Sequence, residues 1–241
     1  MISAIVDYPL QNIINVHNFI LKDLILIFLF VLTTCFTTIY SYSEKEINWI
    51  KKKKNHNALL ETIWTLIPCF FVLSFMFPSM ALLYIEENIE KISLNTVNII
   101  GNQWYWVYEN NTYSHNYKFT SNLFLPNEYN KKYLNFLRLF ETNEPLVIPI
   151  AIKTAFYITS NDVNHSWSVP GLGIKVDAIP GRINLKEITP TKIGMFSGMC
   201  SELCGVEHGF MPISLQIVTI KDWINNLGRN NINLDNFWFI G

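Results

Sequence analysis

Two long apolar runs without a single charge, joined by a connector that holds four consecutive lysines, constrain this chain more than any other feature. The first, Leu24 to Tyr40, is bounded by Lys22 and Asp23 on one side and Glu44 on the other. Counted from Phe19 to Tyr42 it is long enough to cross a hydrocarbon core of ~30 Å. The second, Ile63 to Ile85, reaches ~35 Å as a helix and crosses with some tilt. The alternative, a pair of buried helices in a soluble protein, fits the composition poorly. Of the 241 residues, 50% are hydrophobic and 15% charged, against about 25% charged in soluble domains. A formal net charge of −1 excludes a nucleic-acid binder, which needs a basic face.

The two runs predict a transmembrane helical hairpin over residues 19–91, with spans at about 19–42 and 59–85 and a short segment, 1–18, before it. Lys51–Lys54 stay on the side from which the protein inserts, which puts the N-terminus and everything after the second span across the membrane. Thr33, Thr34, Thr37 and Thr38 have partners within the helix or on a neighbour. Pro68 and Pro78 are expected to bend the second span, and Cys35 and Cys69 to be buried thiols. Glu86, Glu87 and Glu90 cap the membrane exit. Glu61, in the first turn of the second span, has two readings: it complements the helix dipole, or it marks a proton entry point at the membrane edge.

From Leu94 the pattern changes to short runs broken by Asn, Gly and Pro. Strands are predicted at 96–100, 105–108, 134–140, 146–150, 153–159, 182–188, 193–197 and 213–218. In the last, Ile213, Leu215 and Ile217 share one face. Many short strands with turn signals read as an all-β sandwich or barrel over residues 92–228, with a short helix at 221–227. An Asn-rich tail, 229–241, follows.

The chemistry concentrates in Cys200-Ser201-Glu202-Leu203-Cys204-Gly205-Val206-Glu207-His208-Gly209-Phe210-Met211. Two thiolates, an imidazole and a thioether in one loop are soft or borderline donors, a set that selects copper over magnesium or calcium. A second imidazole is needed, and His165 is the candidate. One Cys, two His and a Met make a mononuclear blue site; a second Cys four residues on suits two ions sharing both sulfurs. Two other readings stand beside copper: a Cys200–Cys204 disulfide and a zinc site, the latter disfavoured by Met211. Asp162, three residues before His165, orients that ligand or faces a basic partner. In Trp104-Tyr105-Trp106 a strand places Trp104 and Trp106 on one face, as core packing or as an exposed indole near the metal.

The copper loop resembles that of the cytochrome c oxidase subunit II family. So do Gly101-Asn102-Gln103-Trp104-Tyr105-Trp106, Asp177-Ala178-Ile179-Pro180-Gly181-Arg182 and Glu61-Thr62-Ile63-Trp64-Thr65; the resemblance runs from about residue 20 to about residue 225. It implies a C-terminal cupredoxin-like Greek-key barrel behind the two-helix anchor. It implies a dinuclear copper A centre held by His165, Cys200, Cys204, His208 and Met211 through side chains and by Glu202 through its backbone carbonyl. The Glu202 carboxylate would reach a magnesium shared with subunit I. Trp104 would be the electron entry point and Glu61 the mouth of a proton channel in the catalytic subunit. The implied activity is transfer of electrons from cytochrome c to haem a of subunit I, for oxygen reduction coupled to proton pumping, in the mitochondrial inner membrane with the N-terminus and the β domain in the intermembrane space. The skew towards Asn, Ile, Lys, Tyr and Phe, as from AT-rich coding, points the same way. Glu109, Glu128, Glu141, Glu144 and Asp162 are candidates for steering a lysine-rich donor, although the acids usual in the family after the aromatic block are replaced here by Asn110, Asn111, Thr112, Ser114 and His115. The competing function is a membrane-anchored copper-binding or copper-delivery protein; a quinol-oxidase subunit without copper is disfavoured by the intact ligand set.

Overall fold

The computed structural model describes residues 8–43, 56–86, 93–112, 115–124 and 139–227. Lys51–Lys54, Glu87, Glu90, Glu128, most of the strand expected at 134–140 and the tail 229–241 lie outside the described residues.

Two helices come first, α1 (Tyr8–Ser43) and α2 (Ala58–Glu86). α1 starts well before the expected span. Pro9 sits in its first turn, where a missing N–H costs nothing, and no breaker separates it from the apolar run, so part of the stretch expected as a leader is helical. Its threonine hydroxyls are satisfied within the helix: Thr33 Oγ1 donates to the Leu29 carbonyl at 2.8 Å and Thr38 Oγ1 to that of Thr34 at 2.7 Å. Such back-bonding keeps these hydroxyls from being stranded in lipid. α2 runs unbroken through Pro68 and Pro78. Asn57 caps it, accepting from the Leu60 N–H at 3.2 Å.

Stretches Leu10–Ser41 and Ala58–Tyr84 have mean hydropathies of 2.3 and 2.1 and are long enough to cross a bilayer. They turn large apolar side chains outward, with Phe30 69% and Phe70 70% exposed, the arrangement a lipid solvent rewards. Cys35 and Cys69 are exposed on these helices rather than buried, because a helix with apolar residues all round has no inner face to bury them. Glu61 lies in the first turn of α2. His56 is exposed and brings its Nδ1 to 2.9 Å from Glu61 Oε1.

The chain divides into two units, one of Gln11–Asn88 and one of Ile89–Gly241 together with Met1–Leu10. Among its described residues the second holds ten strands: β1 (Asn95–Asn102), β2 (Tyr105–Thr112), β3 (His115–Ser121), β4 (Leu146–Pro149), β5 (Thr154–Ser160), β6 (His165–Val169), β7 (Ile174–Ala178), β8 (Asn184–Ile188), β9 (Gly194–Cys200) and β10 (Pro212–Val218), followed by helix α3 (Ile220–Leu227). They make two five-stranded sheets, ordered β3-β2-β1-β5-β8 and β4-β10-β9-β6-β7. Both contain one parallel pair, β1 with β5 and β10 with β4, where the chain crosses over instead of turning back.

The sheets share one core cluster. Val97, Ile99, Trp106, Tyr108, Phe156 and Ile158 enter it from the first sheet, and Leu146, Ile148, Trp167, Ile213, Leu215 and Ile217 from the second. The face expected for β10 points into the core, with Ile213, Leu215 and Ile217 all at 0% exposure, although Ser214 between them is buried as well. Strands β3, β6 and β7 were not expected. β6 is buried at all five positions, and its Ser166 and Ser168 read as turn residues in a bare sequence.

Candidate metal centre

Strand pairing brings the distant imidazole to the loop. β6 and β9 are antiparallel neighbours, with Trp167 opposite Cys200 and Ser168 opposite Met199. The Ser201 N–H continues the ladder to the Ser166 carbonyl at 3.0 Å. His165, at the start of β6, therefore stands beside Cys200, at the end of β9. The loop between β9 and β10 closes at its base, where Met199 pairs with Pro212 and the Cys200 N–H donates to the Met211 carbonyl at 3.4 Å. Between those ends the chain turns at Gly205, whose φ of +124° suits glycine, and makes a single 3-10 turn at His208–Phe210.

The donor atoms form a connected group. His165 Nδ1 lies 3.9 Å from Cys200 Sγ, which lies 3.9 Å from Cys204 Sγ. Cys204 Sγ lies 3.5 Å from His208 Nδ1 and 3.5 Å from Met211 Sδ. The Glu202 carbonyl points back at Cys200 Sγ, 3.3 Å away. Two sulfurs thus sit at the centre with one imidazole beyond each. Both thiols are free and buried, and their separation is far outside the ~2.05 Å of a disulfide, which removes that reading. His165 is at 0% exposure and Met211 at 1%; His208 is half-buried. A thioether inside the group disfavours zinc and fits a soft ion.

The surroundings prepare these donors. Burial pushes the Cys200 thiol up, but hydrogen bonds with His165, with the backbone of Glu202 and Ser166 and with His208 outweigh it and bring it down to about 6. Burial and the neighbouring Cys200 charge push Cys204 up to about 12, so the second thiol yields its proton only to a bound cation. Burial works against a charged His165, yet Cys200 and Asp162 raise its pKa overall.

Asp162 Oδ1 is 2.9 Å from His165 Nε2, which fixes the ring with Nδ1 towards the sulfurs. The carboxylate is itself held by the N–H groups of Gln103 and Val163, each at 2.6 Å. Burial raises its pKa, but the His165 contact and these N–H groups lower it on balance. Asp162→Asn is expected to lower copper affinity ~10–100-fold, the usual effect of losing such a partner, in competition against a chelator. An unchanged affinity would mean that His165 needs no orienting carboxylate.

Trp104 is not on the strand with Trp106. The β1–β2 pairing ends at Asn102 opposite Tyr105, so Gln103 and Trp104 form the two-residue link and the common face predicted for the two indoles does not exist. From that link Trp104 leans on the metal loop: a Cβ on Gly205 would sit 3.1 Å from its Cζ2. Trp106 is fully buried, its ring edge-on to His165 at 5.9 Å.

Two residues of the aromatic motif were given no role from the sequence. Gln103 Nε2 donates to the Cys204 carbonyl at 2.8 Å, tying the link to the loop. Gly101 leaves room for the ligand, since a Cβ there would lie 2.9 Å from His165 Cδ2. Their place beside the aromatic block was the available signal. Among the steering candidates, Glu109 is paired with Lys118 at 2.7 Å, and Glu144 is engaged by Tyr117.

The sequence and the fold match known proteins. Residues 95–218 match the family described as cytochrome c oxidase subunit II, periplasmic domain, and residues 8–82 match its transmembrane domain. Cytochrome c oxidase subunit 2 of Zea mays is 39% identical over 222 residues, covering 90% of this chain and 85% of its own. That of Apis koschevnikovi is 37% identical, covering 92% of each. The crystal structure of the periplasmic domain of subunit II of cytochrome oxidase of Bradyrhizobium japonicum superposes with a TM-score of 0.51 at 32% identity, over 58% of this chain and 95% of that one. The β unit is accordingly cupredoxin-like, its buried His, Cys and Cys fit a copper A site, and the chain, a two-helix membrane anchor followed by this β domain, belongs to the cytochrome c oxidase subunit II family.

Proposed function

We propose that this chain is the electron-entry subunit of a cytochrome c oxidase, taking electrons from cytochrome c and passing them to haem a of subunit I. The observation that carries the reading is the pair of free sulfurs set between two imidazoles. His165, Cys200, Cys204, His208, Met211 and the Glu202 carbonyl would hold two copper ions. Copper held by these residues would supply one-electron transfer.

The chain's own part is to keep the donors still. The closed base of the loop, the Asp162–His165 contact at 2.9 Å and the Gln103 tie to Cys204 at 2.8 Å restrain ligand motion, which keeps the reorganisation cost low. Trp104, half-buried against the loop, is the electron entry point. The exposed Glu202 carboxylate, whose carbonyl faces inward, would reach a magnesium at the boundary with subunit I. Glu61, with His56 at 2.9 Å, would stand at the mouth of a proton channel. Residues 19–91 are then the anchor, 92–228 the copper domain and 229–241 a tail, in the mitochondrial inner membrane with the N-terminus and the copper domain in the intermembrane space. Burial of His165 and Met211 disfavours a delivery protein, which must expose its ligands to exchange metal.

The test is electron paramagnetic resonance of the oxidised, copper-loaded full chain. Hyperfine splitting from two equivalent copper nuclei is expected. The spectrum of an isolated Cu(II), or no bound copper, sinks the proposal.

A further inference from the structure

Four aromatic rings run from the metal-ligand strands to the edge of the opposite sheet. Trp167, opposite Cys200 on the β6–β9 ladder, is fully buried, and its Nε1 donates to Tyr108 Oη at 3.2 Å. The Tyr108 ring lies 5.2 Å from Phe119, and Phe119 stacks on Tyr117 at 5.0 Å with the planes 29° apart. These separations are those of rings in contact. Tyr117 is half-buried on β3, the edge strand of its sheet, and its Oη donates to the carboxylate of Glu144.

Only the last ring has a base for its proton. The Nε1 atoms of Trp104 and Trp106 are buried without a hydrogen-bond partner, and that of Trp167 meets a neutral phenol. Burial raises the pKa of the Tyr108 phenol well above its usual range, so Tyr108 is a poor place to leave a proton-deficient radical. A phenol that loses an electron must shed its proton at once, so an oxidising equivalent settles where an acceptor is already hydrogen-bonded. Burial raises the pKa of Glu144, which makes that carboxylate a better proton acceptor.

We infer that Trp167, Tyr108, Phe119 and Tyr117 form an outlet that draws strong oxidising equivalents away from the metal-ligand strands and deposits them at Tyr117, with Glu144 taking the proton. A strong one-electron oxidant, of the class of a ruthenium(III) polypyridyl or a peroxide-derived radical, first removes one electron from Trp167 and leaves its indole radical cation. One electron then passes from Tyr117 through the Phe119 and Tyr108 rings to refill it. The Tyr117 O–H bond breaks and an O–H bond forms on Glu144. Indole cation, phenol and carboxylate become neutral indole, phenoxyl radical and carboxylic acid, with zero net charge on both sides. Phe119 bridges without being oxidised. The outlet diverts oxidants from sulfurs and indoles whose higher oxidation is irreversible. It runs through side chains alone and stands or falls independently of the copper reading.

The test exposes the full chain in detergent to flash-generated ruthenium(III) tris-bipyridine with a spin trap, and maps oxidation by peptide mass spectrometry. In the native chain the trapped radical is expected at Tyr117, with Trp167 little modified. Tyr117→Phe and Tyr108→Phe are each expected to raise oxidation of Trp167 several-fold while near-ultraviolet circular dichroism stays unchanged. Tyr108→Phe removes the hydroxyl that joins Trp167 to the other rings at 3.2 Å and keeps Tyr117 available to the reagent, so a rise there reports the broken route and not the loss of a surface scavenger. Glu144→Gln is expected to cut the Tyr117 adduct by half or more. Unchanged Trp167 oxidation in a folded phenylalanine variant overturns the outlet, and an unchanged adduct yield in Glu144→Gln overturns the proton acceptor. If Tyr108→Phe fails to fold, Tyr117→Phe with Glu144→Gln decides the matter.

Discussion

Cys204→Ser is expected to leave a folded chain that no longer holds a copper pair, with the two-nucleus hyperfine pattern gone. Cys204 Sγ is the hub of the donor group, 3.9 Å from Cys200 Sγ and 3.5 Å from both His208 Nδ1 and Met211 Sδ. A serine hydroxyl keeps its proton at neutral pH and is a hard donor, so it cannot bridge two soft ions. The change in volume is small, and the new hydroxyl has His208 for a partner. The cost in stability is therefore about 1 kcal/mol, too little to unfold the domain. Under the proposed electron-entry role, transfer from reduced cytochrome c should fall to background while circular dichroism stays native. A two-nucleus spectrum surviving in this variant would show that the wrong sulfur has been given the bridging role.

Gly198→Ala is expected to damage the site through the backbone. An added Cβ would lie 1.9 Å from the Ser168 carbonyl oxygen, 2.9 Å from the Ser168 carbonyl carbon and 3.2 Å from Val169 Cα. All three are main-chain atoms of β6, so no side chain can swing aside. β9 cannot retreat either, because Gly198 pairs with Ile213 on β10. The two strands must part where Trp167 faces Cys200, and that pairing holds His165 beside its sulfur. Overpacking of this kind costs about 3 kcal/mol, or about 10 °C in Tm for a chain of this size, with loss of stoichiometric copper. A melting point within a degree or two of the native chain would mean that the β6–β9 ladder yields more easily than its geometry implies.

What was legible in the sequence follows from how local each signal is. The donors Cys200, Cys204, His208 and Met211 lie in one loop and announced themselves by type and spacing. The faces of β10 were readable because Ile213, Leu215 and Ile217 alternate with Ser214 and Gln216. The spans were readable because lipid demands long runs without charge. Features set by tertiary contact were not. Gly101 and Gln103 matter only because His165 of β6 and the metal loop arrive beside them. β6 is polar at alternate positions yet buried at every one, so its Ser residues resembled a loop. Trp104 follows from where the β1–β2 register ends, one residue short of a strand position. Cys35 and Cys69 were misplaced because thiols inside apolar runs were expected to be buried, whereas a helix apolar all round has no inner face for them.

The division of the donors between one loop and one distant strand bears on how a bound ion stabilises the protein. Four of the donor side chains remain neighbours even when the chain is unfolded, so the denatured ensemble keeps a chelating loop of its own. Only His165 is gained on folding, when β6 docks on β9. Linkage then rewards folding by the difference between the two affinities and not by the whole of the native one. Heat resistance conferred by the metal should accordingly fall well short of what its binding constant suggests, and the ion can be captured by a nascent chain before the sheets have closed.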